Sequence, residues 1–164
     1  MSRPLTAAER RARWLALLLP AALLAGAWGS QLIGHLFPCE MCHWQRWPHY
    51  AALPFALLAF VVPQRSIAKA FVILAALLIA VSGAIGVAHA GVEYHWWNGF
   101  TACTQTVDLR GLGPEARLDA LMRAPVVRCD VAQWSLAGIS LAGFNAILSL
   151  GGAGLILWWM RTSR

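Results

Sequence analysis

Four apolar runs, separated by short polar turns and by one long interruption, organise this chain. The first extends from Trp14 to Phe37, about 24 residues or roughly 36 Å of helix, enough to cross a hydrocarbon core. It follows a basic start with Arg3, Arg10, Arg11 and Arg13. That start, and the small residues Ala25-Gly26-Ala27, also occur in cleaved leaders, but a leader's apolar region is usually about 7 to 15 residues long. A spanning helix over about 14–37 is therefore expected. The second run, Tyr50 to Val62, reaches a spanning length only if its helix begins near Trp44, which places Arg46 in the first turn at the interface. Pro48 is tolerated near a helix start, whereas Pro54 at mid-span predicts a bend in a helix over about 44–62. Pro63-Gln64-Arg65-Ser66 closes it. A third helix over about 67–90 carries Ser82, Gly83 and Gly86 as a face for close packing.

From Gly91 to Trp134 the apolar pattern is interrupted for about 44 residues, and a loop that long is either functional or disordered. Within it, Pro114 to Arg123 starts with a proline and an acid and places Leu118, Leu121 and Met122 on one side, which predicts a short amphipathic helix on the membrane surface. A fourth helix over about 136–160 is rich in glycine, and its single amide, Asn145, is expected to bond a neighbouring helix. The expected fold is an all-α membrane protein: a four-transmembrane-helix bundle in one domain, 1–164, with outer loops 38–43 and 91–135.

Composition agrees. Of 164 residues, 59% are hydrophobic and 12% charged, which is not the make-up of a soluble domain of this size. The net charge of +6 sits in short pieces between apolar runs and forms no basic stripe with interleaved aromatics, so no nucleic-acid partner is expected. It reads as a topology signal. The N-terminal tail, the Arg65 to Lys69 turn and the C-terminal tail together hold eight Lys or Arg and one acid, the opposite side five and six. Both termini then face the cytoplasm. Trp44, Trp47, Trp96, Trp97 and Trp134 fall at the outer edge, Trp14, Trp158 and Trp159 at the inner one, as an aromatic belt does.

All four cysteines share the outer face. Cys39 and Cys42 form a Cys-x-x-Cys pair whose spacing lets a disulfide close across a helix's first turn, where the helix N-terminus favours thiolate. The same spacing also supplies half of a zinc site. Cys103 and Cys129 lie in the long loop. Two pairs on one oxidising face suit thiol–disulfide exchange, in which a thiolate attacks a disulfide and electrons pass between pairs that can approach each other. Such a relay needs a terminal acceptor, and the inner pair lies where a lipid-soluble quinone can reach it. Arg46 supplies a cation there; its bland alternative is an arginine snorkelling to headgroups. The histidines show no His-x-x-x-His ligand spacing, and no metal is expected.

The order Cys39-x-x-Cys42-x-x-x-Arg46, followed by a second cysteine pair between the third and fourth helices, resembles the bacterial disulfide-bond-formation protein B (DsbB) family. His89-Ala90-Gly91-Val92-Glu93, Trp96-Trp97 and Gly143-Phe144-Asn145-Ala146 extend the resemblance over nearly the whole chain. It implies a multi-pass enzyme of the bacterial inner membrane that reoxidises a periplasmic thioredoxin-fold thiol oxidase (DsbA-like) and passes the electrons to ubiquinone or menaquinone. By position, Cys103 and Cys129 would exchange with the partner, Cys39 and Cys42 with quinone, and Arg46 would sit at the quinone, with His89 beside it. A vitamin-K-epoxide-reductase-like protein would carry its loop pair before the Cys-x-x-Cys, the reverse of the order here. A membrane scaffold with structural disulfides or a zinc site is the non-enzymatic alternative.

Overall fold

Pro38 has no main-chain N–H to offer, and directly after it Cys39 takes the N-cap position of a helix, its sulfur accepting a hydrogen bond from the Cys42 amide at 3.2 Å. Helix α2 therefore spans Glu40–Val61, starting earlier than the expected residue 44, and Arg46 moves from its first turn to its second. A cap is a local hydrogen bond to which hydropathy is blind, and Glu40 favours the positive end of the helix. The earlier start makes α2 a helix of 22 residues, continuous through Pro48 and Pro54.

The computed structural model describes residues 5–104, 110–111, 113–122 and 127–162. Arg3, Arg123 and Arg164, counted above as charge signals, lie outside them. Helix α1, Ala7–Leu32, also starts before its apolar run, because Thr6 and Glu9 form a reciprocal capping box. It ends short of Phe37: the amides of Ile33 and Gly34 both bond to the Gly29 carbonyl, and His35 turns into the left-handed region at φ 55°. Helix α3 spans Arg65–Glu93, and α4, Pro114–Met122, presents Leu118, Leu121 and Met122 exposed, as a surface helix should.

The expected start of the last helix at residue 136 is replaced by a hairpin. Strand β1, Ser135–Leu136, pairs antiparallel with β2, Ile139–Ser140, across Ala137 and Gly138, both at positive φ as a two-residue hairpin turn needs. Ser140 then caps α5, Leu141–Thr162, its hydroxyl accepting from the Gly143 amide at 3.1 Å. Tyr94 ties this hairpin to the end of α3, donating to the Gly138 carbonyl and accepting from the Ser140 amide.

Helix α3 packs along both α2 and α5, and α1 closes the bundle against the same two helices. Helices α1, α3 and α5 are long and apolar enough to cross a membrane. The interior is built of small side chains, among them Ala12, Ala16, Ala52, Ala56, Ala75, Ala76 and Ala153, which let backbones approach closely. At one end Glu9, buried in α1, receives Arg65 at 2.5 Å and Lys69 at 3.1 Å, joining α1 to α3 by charge.

The small-residue face of α3 works against α5. A Cβ built on Gly86 would lie 3.0 Å from the Ala146 amide nitrogen and 3.1 Å from the Ala142 carbonyl oxygen, backbone atoms that cannot turn aside. A Cβ on Gly26 of α1 meets nothing within 4 Å. Gly86→Ala should therefore cost about 1–3 kcal/mol by overpacking, whereas Gly26→Ala should be neutral or stabilising by up to about 1 kcal/mol. Thermal unfolding in detergent distinguishes them, and an unchanged midpoint for Gly86→Ala would contradict this packing.

Candidate functional site

The first turn of α2 brings Sγ of Cys39 and Sγ of Cys42 to 2.7 Å from each other, both unbonded. Cys39 is buried and Cys42 half-buried. Cys103 and Cys129 are joined in a disulfide, Cα to Cα 5.6 Å. The loop that carries them does not stand away from the bundle. Cys103 and Cys129 pack with Cys39, Met41 and Val92 in one buried cluster, with Cys42 and Trp44 against its edge. The resemblance has Cys103 exchange with a soluble partner; here it is 4% exposed, with the Thr101 hydroxyl 2.9 Å from its sulfur.

Specific contacts pin that loop. Trp97, expected in the aromatic belt, donates from its indole to the Ala88 carbonyl at 3.0 Å and lies over Gly91, where a Cβ would fall 1.9 Å from the ring. Only glycine fits there. Further on, the Gln133 amide donates to the Phe37 carbonyl at 2.6 Å, and Arg128 pairs with Asp130 at 2.5 Å. The hydrogen bond from Arg128 holds the Asp130 carboxyl below the usual carboxylate range.

Arg46 is 8% exposed and does not snorkel. Its guanidinium donates to Gln31 Oε1 at 2.9 Å and to the Ala27 carbonyl at 3.1 Å, both on α1, and stands 5.5 Å from the centre of the Trp28 ring. Trp28 in turn donates to the Tyr50 hydroxyl at 2.7 Å. Aromatic stacking and a planar fork of donors hold this cation in one orientation.

His89 is buried on α3, with Nε2 3.6 Å from Cys39 Sγ and 3.7 Å from the Glu93 carboxylate, and Nδ1 2.8 Å from the Gln45 amide. Glu93 also accepts from the Ser140 hydroxyl. Behind Gln45 lies a polar network that sequence reasoning missed apart from the amide of Asn145: Asn145 meets Gln45, Ser82, His49 and Ser149. Nδ1 of His49 is buried without a hydrogen-bond partner among the described residues. A signal for this network exists in the sequence. Cys42, Gln45, Arg46 and His49 follow one another at helical spacing, a polar face on a helix of an otherwise apolar chain. His35, His43 and His95 are exposed and stand apart from the cluster.

A cavity of about 240 Å³ opens beside these groups, lined by Cys42, Arg46, His49 and His89 on one side and by apolar residues of α1 and α5 such as Leu23, Ala27 and Phe144 on the other. It can take a flat, largely apolar molecule with a few polar atoms near Cys42 and Arg46. Ligand atoms of Cys39, Cys42 and His89 also lie within 4.8 Å of one another. Two thiolates on one zinc, at about 2.3 Å each, stand about 3.7 Å apart across a tetrahedral angle. Sulfurs 2.7 Å apart suit a pair that opens and closes as a disulfide.

Comparison with known proteins adds three findings. The family model described as "Disulfide bond formation protein DsbB" matches residues 9–159. An uncharacterized protein of Rickettsia prowazekii (strain Madrid E), RP370, is 24% identical over 145 residues, covering 86% of this chain and 83% of its own. No solved structure matches the chain.

Proposed function

The chain belongs to the disulfide bond formation protein DsbB family, and from that premise we propose that it is a protein thiol:quinone oxidoreductase. It reoxidises a periplasmic thioredoxin-fold thiol oxidase, draws the electrons through Cys103–Cys129 and then Cys39–Cys42, and passes them to membrane quinone. The observation that carries this reading is the gathering of both cysteine pairs in one buried cluster, beside a cavity whose wall holds Cys42 and a fixed arginine.

Each exchange conserves one disulfide. A thiolate of the partner attacks Sγ of Cys103, and Cys129 leaves with the electron pair of the broken bond; the partner's second thiolate completes its own disulfide by releasing Cys103. Cys129 then attacks Cys39 of an oxidised Cys39–Cys42 pair, and Cys42 leaves as a thiolate. Cys103 in turn attacks Cys129, reforming the loop disulfide and freeing Cys39. The reduced inner pair has two electrons and two protons to give up. A bound quinone supplies the acceptor for both. The residues that would hold it are Arg46, which lines the cavity, and the apolar side chains of α1 and α5, with His89 alongside. Cys42, at the helix N-terminus and on the cavity wall, is the sulfur in position to deliver electrons.

The same reading makes the protein a four-span protein of the bacterial inner membrane, with α2 as the fourth span and both termini cytoplasmic. Its support is the distribution of basic residues, and α2 matches α5 in length, at 22 residues each. Membrane-impermeant thiol labelling in spheroplasts should leave a Ser66→Cys site unlabelled and reach one introduced in α4; the opposite pattern removes both the topology and the function. With Cys129→Ser, a reduced thioredoxin-fold dithiol protein should be trapped as a mixed disulfide on Cys103, identified by non-reducing electrophoresis and peptide mapping. A link mapped to Cys39 or Cys42 would reverse the relay. Arg46→Lys keeps the charge but loses the planar fork that holds Gln31 and the Ala27 carbonyl and the flat face over Trp28, so kcat/KM for quinone should fall about tenfold or more while exchange at Cys103 persists. Unchanged quinone kinetics would take Arg46 out of the site.

A further inference from the structure

A main-chain carbonyl accepts hydrogen bonds and never donates one, so an amide side chain that meets a carbonyl has its nitrogen on that side. Two such carbonyls set the direction of the network below Cys39. The Ser82 carbonyl lies 3.2 Å from Asn145, and the Met41 carbonyl 3.3 Å from Gln45. Nitrogen must occupy both positions. Asn145 Oδ1 is then the atom that accepts from Ser149 and from His49 Nε2, each at 3.0 Å, and Gln45 Oε1 accepts from Asn145 Nδ2 at 2.8 Å. The Gln45 nitrogen held by Met41 is the same one that stands 2.8 Å from His89 Nδ1. A ring nitrogen facing an N–H donor carries its lone pair there, so neutral His89 bears its proton on Nε2, which faces Cys39 Sγ at 3.6 Å and the Glu93 carboxylate at 3.7 Å.

We propose that Asn145 and Gln45 are positioning residues that lock His89 as a hydrogen-bond donor to Cys39. His89 then stabilises the Cys39 thiolate each time exchange releases it, and it is not the base that takes the thiol's proton. This assignment rests on the function proposed above for its catalytic consequence, whereas the location of the proton rests on the hydrogen-bond directions alone. A buried thiolate in apolar surroundings is costly, and an N–H aimed at it from a fixed ring lowers that cost at the moment the charge appears. The orientation is set from 100 residues away in the chain, by a side chain on α5 that touches neither sulfur.

The test is nitrogen NMR of the full-length chain with ¹⁵N-labelled histidine in detergent micelles, together with quinone-reduction kinetics. In the parent protein His89 should show an unprotonated Nδ1 and a protonated Nε2. Gln45→Glu keeps the size but presents only acceptors to the ring, so the proton should move to Nδ1 and transfer from the inner pair to quinone should slow about tenfold or more. Exchange of the loop disulfide with a reduced thioredoxin-fold protein serves as the internal control. If Gln45→Glu does not fold, Gln45→Met, which lacks both amide groups, should leave His89 divided between the two tautomers. A parent His89 protonated on Nδ1, or averaged between the nitrogens, overturns the proposal. So does a reversed tautomer with an unchanged rate. A parent chain that reduces no quinone sinks the proposed function, and the NMR result still decides where the proton resides.

Discussion

Inside an apolar bundle a polar side chain is tolerated only when other protein groups return its hydrogen bonds, because no water competes to satisfy it. Helix α2 places Gln45, Arg46 and His49 under that constraint, and the neighbouring helices are arranged to meet it. α1 answers Arg46 with Gln31 and the Ala27 carbonyl, α3 answers Gln45 with His89, and α5 answers both Gln45 and His49 with Asn145. Each helix is thereby held in rotation as well as in place. The glycine and serine positions of α3 allow the approach that these short bonds require, since Ser82 sits inside the network and Gly86 against the α5 backbone.

The same network leaves a reactive corner. Cys39 and Cys42 occupy a turn where the bundle gives way to the loops, at a helix N-terminus and on the cavity lining. The loop disulfide packs down on this turn, and Trp97, Gln133 and Tyr94 pin the neighbouring segments by hydrogen bonds. Cys103 is buried in this arrangement. Contact between the pairs requires little motion, because they already share one cluster.

Much of the architecture follows from local rules that can be applied to the chain by itself. Apolar runs of spanning length, the glycine-rich faces and the amphipathic segment starting at Pro114 each depend on neighbours a few residues away. Where those expectations miss, the cause is a hydrogen bond that hydropathy cannot register: the capping box at Thr6 and Glu9, the sulfur cap at Cys39, and the Ser135–Leu136 hairpin that delays α5. Composition is equally blind to the contact of Trp97 with Gly91, since a free tryptophan and one locked over a glycine count the same.

The four cysteines and Arg46 stand out in the sequence because their residue types are reactive or charged in an apolar chain, and their order alone points to sulfur exchange. What the sequence by itself could not decide is how they face one another. His89 meets Cys39 from 50 residues away and Asn145 meets Gln45 from 100. Such meetings depend on the rotation of each helix about its axis, and rotation is set by the summed packing of all four long helices. The roles of Gln45, His49 and Gln31 exist only in that packed state, since each is an ordinary polar residue until a particular donor or acceptor is placed opposite it. Tertiary structure alone also buried Cys103, because burial is a property of what packs on a residue, and Cys39, Met41 and Val92 come from other parts of the chain.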